Sequence, residues 1–262
     1  HFLTLGPVPT NTPTHTPTAT ATIGTPLAPT YTATNTSTAT ATFIPTMTNT
    51  PGSSDMIFAD GFESGNFSAW TGNTTDLGDL SVSPSAALKG AQGLQAVIDD
   101  VNPIYITDDS PNAEQHYRAR FYFDPNSITM VSTDAHFIFK GFMGTATDIL
   151  QVELRPLSGA YQVRAKLLND SGGFINTSWF SLSDGPHFIE LDWRASTAVG
   201  ANNGGLTLWI DGVQQADLIG VDNDTLRVDR TRLGALAGID AGTSGTYYFD
   251  AFESRRQSYI GP

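Results

Sequence analysis

Cysteine is missing from all 262 residues. Disulfides, thiolate metal sites and thiol nucleophiles are thereby excluded. No apolar run approaches the ~20 residues that a membrane-spanning helix requires. Basic residues are scarce: 13 Lys+Arg stand against 26 Asp+Glu, a net charge of −13. That balance argues against a nucleic-acid partner, which needs a basic footprint. It argues equally against adsorption to an anionic membrane. Charged residues are only 15% of the chain, below the usual ~25%, and the deficit is uneven.

Residues 1–54 carry no Asp, Glu, Lys or Arg, and the first 51 hold 19 Thr and 8 Pro. Such a tract cannot bury enough apolar surface to offset its own ordering entropy. It ends in Pro51-Gly52-Ser53-Ser54, a joint of linker composition. We therefore divide the chain into a Thr/Pro-rich extended arm or stalk, 1–54, and a folded domain, 55–262. The arm contains a repeat. Thr10, Thr12, Thr14, Thr16, Thr18, Thr20 and Thr22 alternate with other residues, and Thr30, Thr32, Thr34, Thr36, Thr38, Thr40 and Thr42 do so again 20 residues later. Strict alternation is the period of an extended chain. Pro13 and Pro17 restrict the first row to an edge strand or polyproline-like conformation, whereas the second row has no Pro. Three readings fit: a stalk O-glycosylated on these Thr rows, an arm that docks on a neighbouring subunit by strand addition, or an accidental low-complexity terminus.

From Asp55 onward the pattern changes to short alternating runs bounded by Gly, Asn, Asp, Ser and Pro. Tyr117, Ala119, Phe121 and Phe123 alternate with Arg118, Arg120 and Tyr122. Leu150, Val152 and Leu154 alternate with Gln151, Glu153 and Arg155. Tyr161, Val163, Ala165 and Leu167 alternate with Gln162, Arg164 and Lys166. Ile189, Leu191 and Trp193 alternate with Glu190, Asp192 and Arg194, and Leu206, Leu208 and Ile210 with Thr207 and Trp209. Asp211-Gly212 then predicts a tight hairpin into Val213–Leu218. No segment shows a helical period of useful length. We expect an all-β fold: a two-sheet antiparallel jelly-roll sandwich of twelve to fourteen strands, with one polar face and an extended N-terminal arm.

Phe188-Ile189-Glu190-Leu191-Asp192-Trp193, Gly205-Leu206-Thr207-Leu208-Trp209-Ile210-Asp211-Gly212 and Tyr247-Tyr248-Phe249-Asp250 resemble the concanavalin A-like lectin/glucanase superfamily, in particular its laminin-G-like members. The opening Asp60-Gly61-Phe62-Glu63-Ser64-Gly65 and Trp70 are similar to the first strand of secreted bacterial surface domains of this kind. The resemblance spans about 55–258 and implies a curved jelly roll, with sugar binding on the concave face. It also implies that the first and last strands pair. Asp60, Glu63 and Asp250 would then meet as a structural Ca²⁺ site, since calcium takes six to eight oxygens. The acidic runs Asp99-Asp100, Asp108-Asp109 and Asp222-Asn223-Asp224 are further oxygen-rich candidates.

The polar side chains supply the remaining candidates. Trp209 among Arg118, Arg120, Tyr122, Glu190 and Asp192 has the composition of a sugar platform, a stacking ring ringed by planar hydrogen-bonding groups. The competing expectation is that Trp209 packs under arginine stems. The family's glucanases use a Glu-x-Asp-x-x-Glu strand, but here Ala195 takes the third acidic position. Retaining hydrolysis needs two carboxylates about 5–5.5 Å apart, so we expect no enzyme. His116, His136 and His187 lack metal spacing and read as strand residues. The leading expectation is an extracellular or cell-surface structural protein. It would assemble with its own copies into a filament or surface layer through the arm, with covalent glycans on its threonines. The alternative is a carbohydrate-binding, lectin-like module on a glycosylated stalk, with a polysaccharide partner.

Overall fold

The computed structural model describes residues 55–132 and 134–262. The Thr rows, the 1–54 arm and the linker lie outside the described residues. Sixteen strands are present among the described residues, slightly more than expected, because several short edge strands carry little alternation.

The first sheet runs in the order β14 (Val213–Val221), β13 (Gly204–Ile210), β12 (His187–Arg194), β6 (His116–Asp124), β16 (Gly245–Arg255), β4 (Gly93–Ile98), β3 (Leu80–Ser83). β1 (Met56–Asp60) pairs with β16, so the ends of the domain meet as expected. The second sheet runs β10 (Phe174–Asn176), β9 (Ala160–Leu168), β8 (Thr147–Leu157), β7 (His136–Met143), β15 (Arg230–Ala235), β5 (Ile104–Asp108), β2 (Gly72–Thr74), with β11 (Phe180–Leu182) beside β9. Every pairing is antiparallel. Asp211 (φ 51°) and Gly212 (φ 77°) both adopt the left-handed region, which lets a two-residue turn join Ile210 to Val213.

Alternation supplies the core. Tyr117, Phe121, Phe123 and Trp193 point inward from β6 and β12, and meet Phe139, Val152, Leu154, Val163 and Leu233 in one buried cluster. Phe121 stacks on Phe139 across the sandwich, at 5.5 Å between centroids. The side chains between these positions point outward. The two sheets therefore expose two opposite polar faces, not the single one expected. Arg118, Arg120, Tyr122, Glu190, Asp192, Thr207 and Trp209 belong to the first sheet. Gln151, Glu153, Arg155, Arg164 and Lys166 belong to the second. One-dimensional alternation states in or out; it does not state which sheet.

His136 is set deep in the sandwich, with 0% of its surface exposed. Its ring stacks on Tyr247 at 5.9 Å, with Nε2 3.3 Å from the Tyr247 hydroxyl, and its Nδ1 has no partner. Burial pulls its pKa down to about 4. The unfolded chain takes up a proton near pH 6.5 and the native state does not until about 4. The contribution to stability is therefore present above pH 6.5 and is lost as pH falls through this window. Burial raises the Asp108, Asp124 and Asp250 carboxyls, and their effect runs the opposite way. Urea unfolding at pH 7.5 and 4.5 should show the native protein losing about 2–3 kcal/mol more than the His136→Phe variant.

Candidate functional site

The first sheet brings the expected residues together. Pairing of β12 with β6 sets Glu190 opposite Arg120 and Asp192 opposite Arg118. Arg118 donates from Nη1 to Glu190 Oε1 (3.1 Å) and from Nη2 to Asp192 Oδ2 (3.0 Å). Arg194 Nη1 also donates to Asp192 Oδ2 at 2.9 Å, and His116 Nε2 contacts Asp192 Oδ1. Arg120 donates to the Ala251 carbonyl and to Glu253 Oε2. The charges are thus consumed within the sheet.

The C-terminal tail closes what remains. Ile260 and Gly261 donate their backbone N–H groups to Glu190 Oε1 and Oε2, at 3.0 and 2.9 Å. Arg255 Nη1 donates to the Tyr259 carbonyl at 3.1 Å, and Ser258 is tied to Asp55. Tyr259 meets Trp209 edge-on at 5.8 Å, while the Arg118 guanidinium lies 5.2 Å over the Trp209 ring. Glu190 is 0% exposed, Tyr122 7% and Arg120 8%. The expected sugar platform is therefore covered: Trp209 packs against an arginine and the chain's own tail. Glu190 is an ion-paired acceptor with both oxygens occupied.

The expected Ca²⁺ site does not assemble. Asp60 accepts from the Phe62 amide (3.0 Å) and from Trp70 Nε1 (2.7 Å). Glu63 accepts from the Ala91 amide at 2.9 Å, and Asp250 from the Leu88 and Lys89 amides at 2.8 and 2.7 Å. Burial, with Glu63 nearby, raises the Asp250 carboxyl despite these bonds. Backbone amides of residues 88–91 thus hold Glu63 and Asp250, and the three acids do not converge as a ligand set. Among the described residues, the acids that do converge are Asp170, Asp222 and Asp224, with one oxygen from each within 4.8 Å of the others. Desolvation and the facing Asp170 hold the Asp224 carboxyl above its ordinary value. Asp170 is also engaged, accepting from the Thr225 hydroxyl at 2.6 Å.

Ser183, His187 and Asp211 form a relay: Ser183 Oγ lies 2.8 Å from His187 Nε2, and Nδ1 lies 2.6 Å from Asp211 Oδ2. It sits on an open turn. Ser183 is exposed, and Asp211 also caps the Phe188 amide at 2.9 Å. On this exposed turn the relay fastens the backbone between Ser183 and Asp211.

The outward face of the second sheet is less self-contained. Register places Thr107, Arg232, Lys140, Gln151 and Lys166 side by side across β5, β15, β7, β8 and β9. Lys140 and Lys166 lie over Phe137, at 4.5 and 5.0 Å, and Lys166 also approaches Phe174. Arg155 and Arg164 lie 4.1 and 4.4 Å from the Trp179 ring centre. Glu153 pairs with Arg164 at 2.6 Å. Six of the 13 basic residues, Lys140, Arg155, Arg164, Lys166, Arg230 and Arg232, gather here in a strongly acidic chain. Sequence reasoning missed Trp179, Phe137, Lys140 and Arg232. The alternation of Arg230-Thr231-Arg232-Leu233 was the available signal.

No protein-family model matches this sequence, and no curated protein matches it. Solved structures match by fold. The receptor-binding domain of botulinum neurotoxin type G aligns at TM-score 0.54 and 10% identity, over 79% of this chain and 49% of that one. The binding domain of Paraclostridial Mosquitocidal Protein 1 aligns at 0.53 and 10%, over 79% and 50%. The T. cruzi calreticulin globular domain aligns at 0.53 and 12%, over 78% and 89%. The chain spans about half the length of the two toxin domains. At these identities the likeness establishes a jelly-roll-type sandwich and nothing finer.

Removing the Glu190 carboxylate should leave Arg118 Nη1 and two tail amides without their acceptor, while Arg118 Nη2 keeps Asp192. Glu190→Ala is expected to cost about 3–5 kcal/mol in a denaturant melt and to expose residues 258–262 to carboxypeptidase. Truncation after Gln257 should cost less, because Arg118 keeps both of its carboxylates.

Proposed function

We propose that residues 55–262 form a non-enzymatic carbohydrate-binding module of an extracellular or cell-surface protein, and that the outward face of the second sheet is its binding surface. The observation that carries this reading is the interleaving of part-exposed rings with hydrogen-bonding side chains on that face. Tyr105, Phe137 and Trp179 are half-buried and Phe174 is exposed, beside Arg155, Arg164, Lys166 and Arg232. A pyranose presents an apolar face and a rim of hydroxyls. It needs a flat ring to lie on and planar polar groups to meet that rim. Two of the structural neighbours are described as a receptor-binding domain and a binding domain, which supports a binding role without identifying a ligand. Trp179→Ala should reduce affinity for a glycan found on an array at least ten-fold, with an unchanged melting temperature. A glycan array without hits would exclude the reading.

A second reading rests on the exact 20-residue repeat of the Thr rows in 1–54. In it the arm carries O-glycans and docks on neighbouring copies, building a filament or surface layer. Deleting residues 1–54 should leave a folded monomer that melts at the same temperature as the full chain. Electron microscopy of the full chain would then show fibres that the truncated chain lacks. Fibres from the truncated chain would exclude the arm as the connector.

A further inference from the structure

We propose that Arg232 and the cavity beside it form an anion-recognition subsite that takes the carboxylate or sulfate of an acidic sugar. The inference rests on the glycan-binding reading above and names the class of glycan.

Among the described residues, each arginine other than Arg232 has a hydrogen-bonded or ionic partner. Arg118, Arg120, Arg164, Arg194, Arg230, Arg255 and Arg256 pair with carboxylates. Arg155 bonds Gln162, and Arg227 bonds backbone carbonyls. The Arg232 guanidinium makes no hydrogen bond and no close ion pair, and its Nε is buried and unsatisfied; Asp109 lies within electrostatic reach but is engaged by Arg230. It is held by rings, 4.6 Å from the centre of Tyr105 and 4.9 Å from that of Phe142. The backbone enforces this placement. Gly234 adopts φ +143°, and a Cβ there would stand 2.3 Å from the Ile104 carbonyl oxygen. Glycine thus lets β15 close on β5 and carries Arg232 to Tyr105.

An unpaired buried donor costs stability, so a fixed guanidinium without a hydrogen-bonded acceptor calls for a partner. Arg232 lines a cavity of about 380 Å³ together with Tyr105, Phe142, Lys140 and Asp148. The one carboxylate there is already neutralised: Asp148 accepts from Lys140 Nζ at 2.6 Å and from Gln151 Nε2 at 3.0 Å. The cavity therefore keeps one surplus positive charge. A guanidinium binds planar oxyanions through parallel N–H donors, which suits a carboxylate or a sulfate. In the same cross-strand row, Gln151 Oε1 is a second buried atom without a partner. It stands two strands from Arg232, about 10 Å away by strand spacing. The row thus holds an unpaired donor and an unpaired acceptor, both set beneath the surface of the face. The cations Lys166, Arg164 and Arg155 continue the face beyond it.

The test is calorimetric titration of the full chain with four probes: oligogalacturonate, its methyl ester, a sulfated galactan and a neutral β-glucan. Each is run at low and high salt. At least one acidic probe should bind, and high salt should weaken it. If that probe is oligogalacturonate, its methyl ester should bind at least ten-fold more weakly. Arg232→Met should lose the preference for the acidic probe while Arg232→Lys keeps part of it. The Arg232→Met melting temperature should hold or rise, because the variant removes an unsatisfied donor and keeps contact with both rings. The subsite is overturned, and the glycan reading kept, if neutral or esterified probes bind as tightly as acidic ones and Trp179→Ala abolishes them all. A melting temperature lowered by several degrees in Arg232→Met, with binding unchanged, would assign Arg232 a packing role and overturn the subsite. Failure of all four probes to bind would overturn the subsite and the glycan reading together.

Discussion

The register of β6 between β12 and β16 is the constraint on which the first sheet depends. Eight consecutive residues of β12 face β6, from His187 opposite Phe123 to Arg194 opposite His116. This register sends Tyr117, Ala119, Phe121 and Phe123 into the core and leaves Arg118 and Arg120 outside. A slip by one residue would bury the arginines and expose the rings. The same register sets carboxylates beside guanidiniums: Glu190 and Asp192 with Arg118, and Glu253 with Arg120. Packing and charge therefore favour one alignment together, a consistency that gives a sandwich a single native pairing.

The two outer faces solve the charge problem differently. On the first sheet each buried carboxylate has a nearby cation or amide, and the tail from Ser258 to Gly261 closes the last gap over Glu190. A compensated network of this kind holds shape and leaves little for a ligand. On the second sheet cations outnumber carboxylates. Lys140 and Arg164 lie over aromatic rings as well as beside acids, and Arg155 and Arg232 lie over rings without an ion pair. Rings stabilise a cation without neutralising it. The charge then remains available to an incoming group. The candidate surface follows from this contrast more than from any single residue.

Particular strands show where sequence was sufficient. The alternation of Tyr117–Phe123, Leu150–Arg155, Tyr161–Leu167 and Ile189–Arg194 marked core and surface correctly, because apolar burial on one face forces period two. Asp211-Gly212 marked its hairpin, because few residue pairs accept two left-handed conformations in succession. Short strands such as β2, β10 and β11 were illegible, since three residues carry almost no period. The Asp60, Glu63 and Asp250 grouping misled for a related reason. Their type was read correctly as oxygen donors, but their partners are loop amides that alternation cannot foresee.

By itself the sequence determined an all-β chain, its inward and outward side chains, and a charge-free Thr/Pro leader set against an acidic domain. These follow from local chemistry: residue volume, turn preference and period. Only the tertiary structure decided that the outward side chains divide between two opposite faces, that the tail covers Glu190, and that Arg232 stands between two rings without a hydrogen-bonded acid. Those facts depend on which strands lie side by side, and strand neighbours are chosen by contacts between residues far apart in the chain.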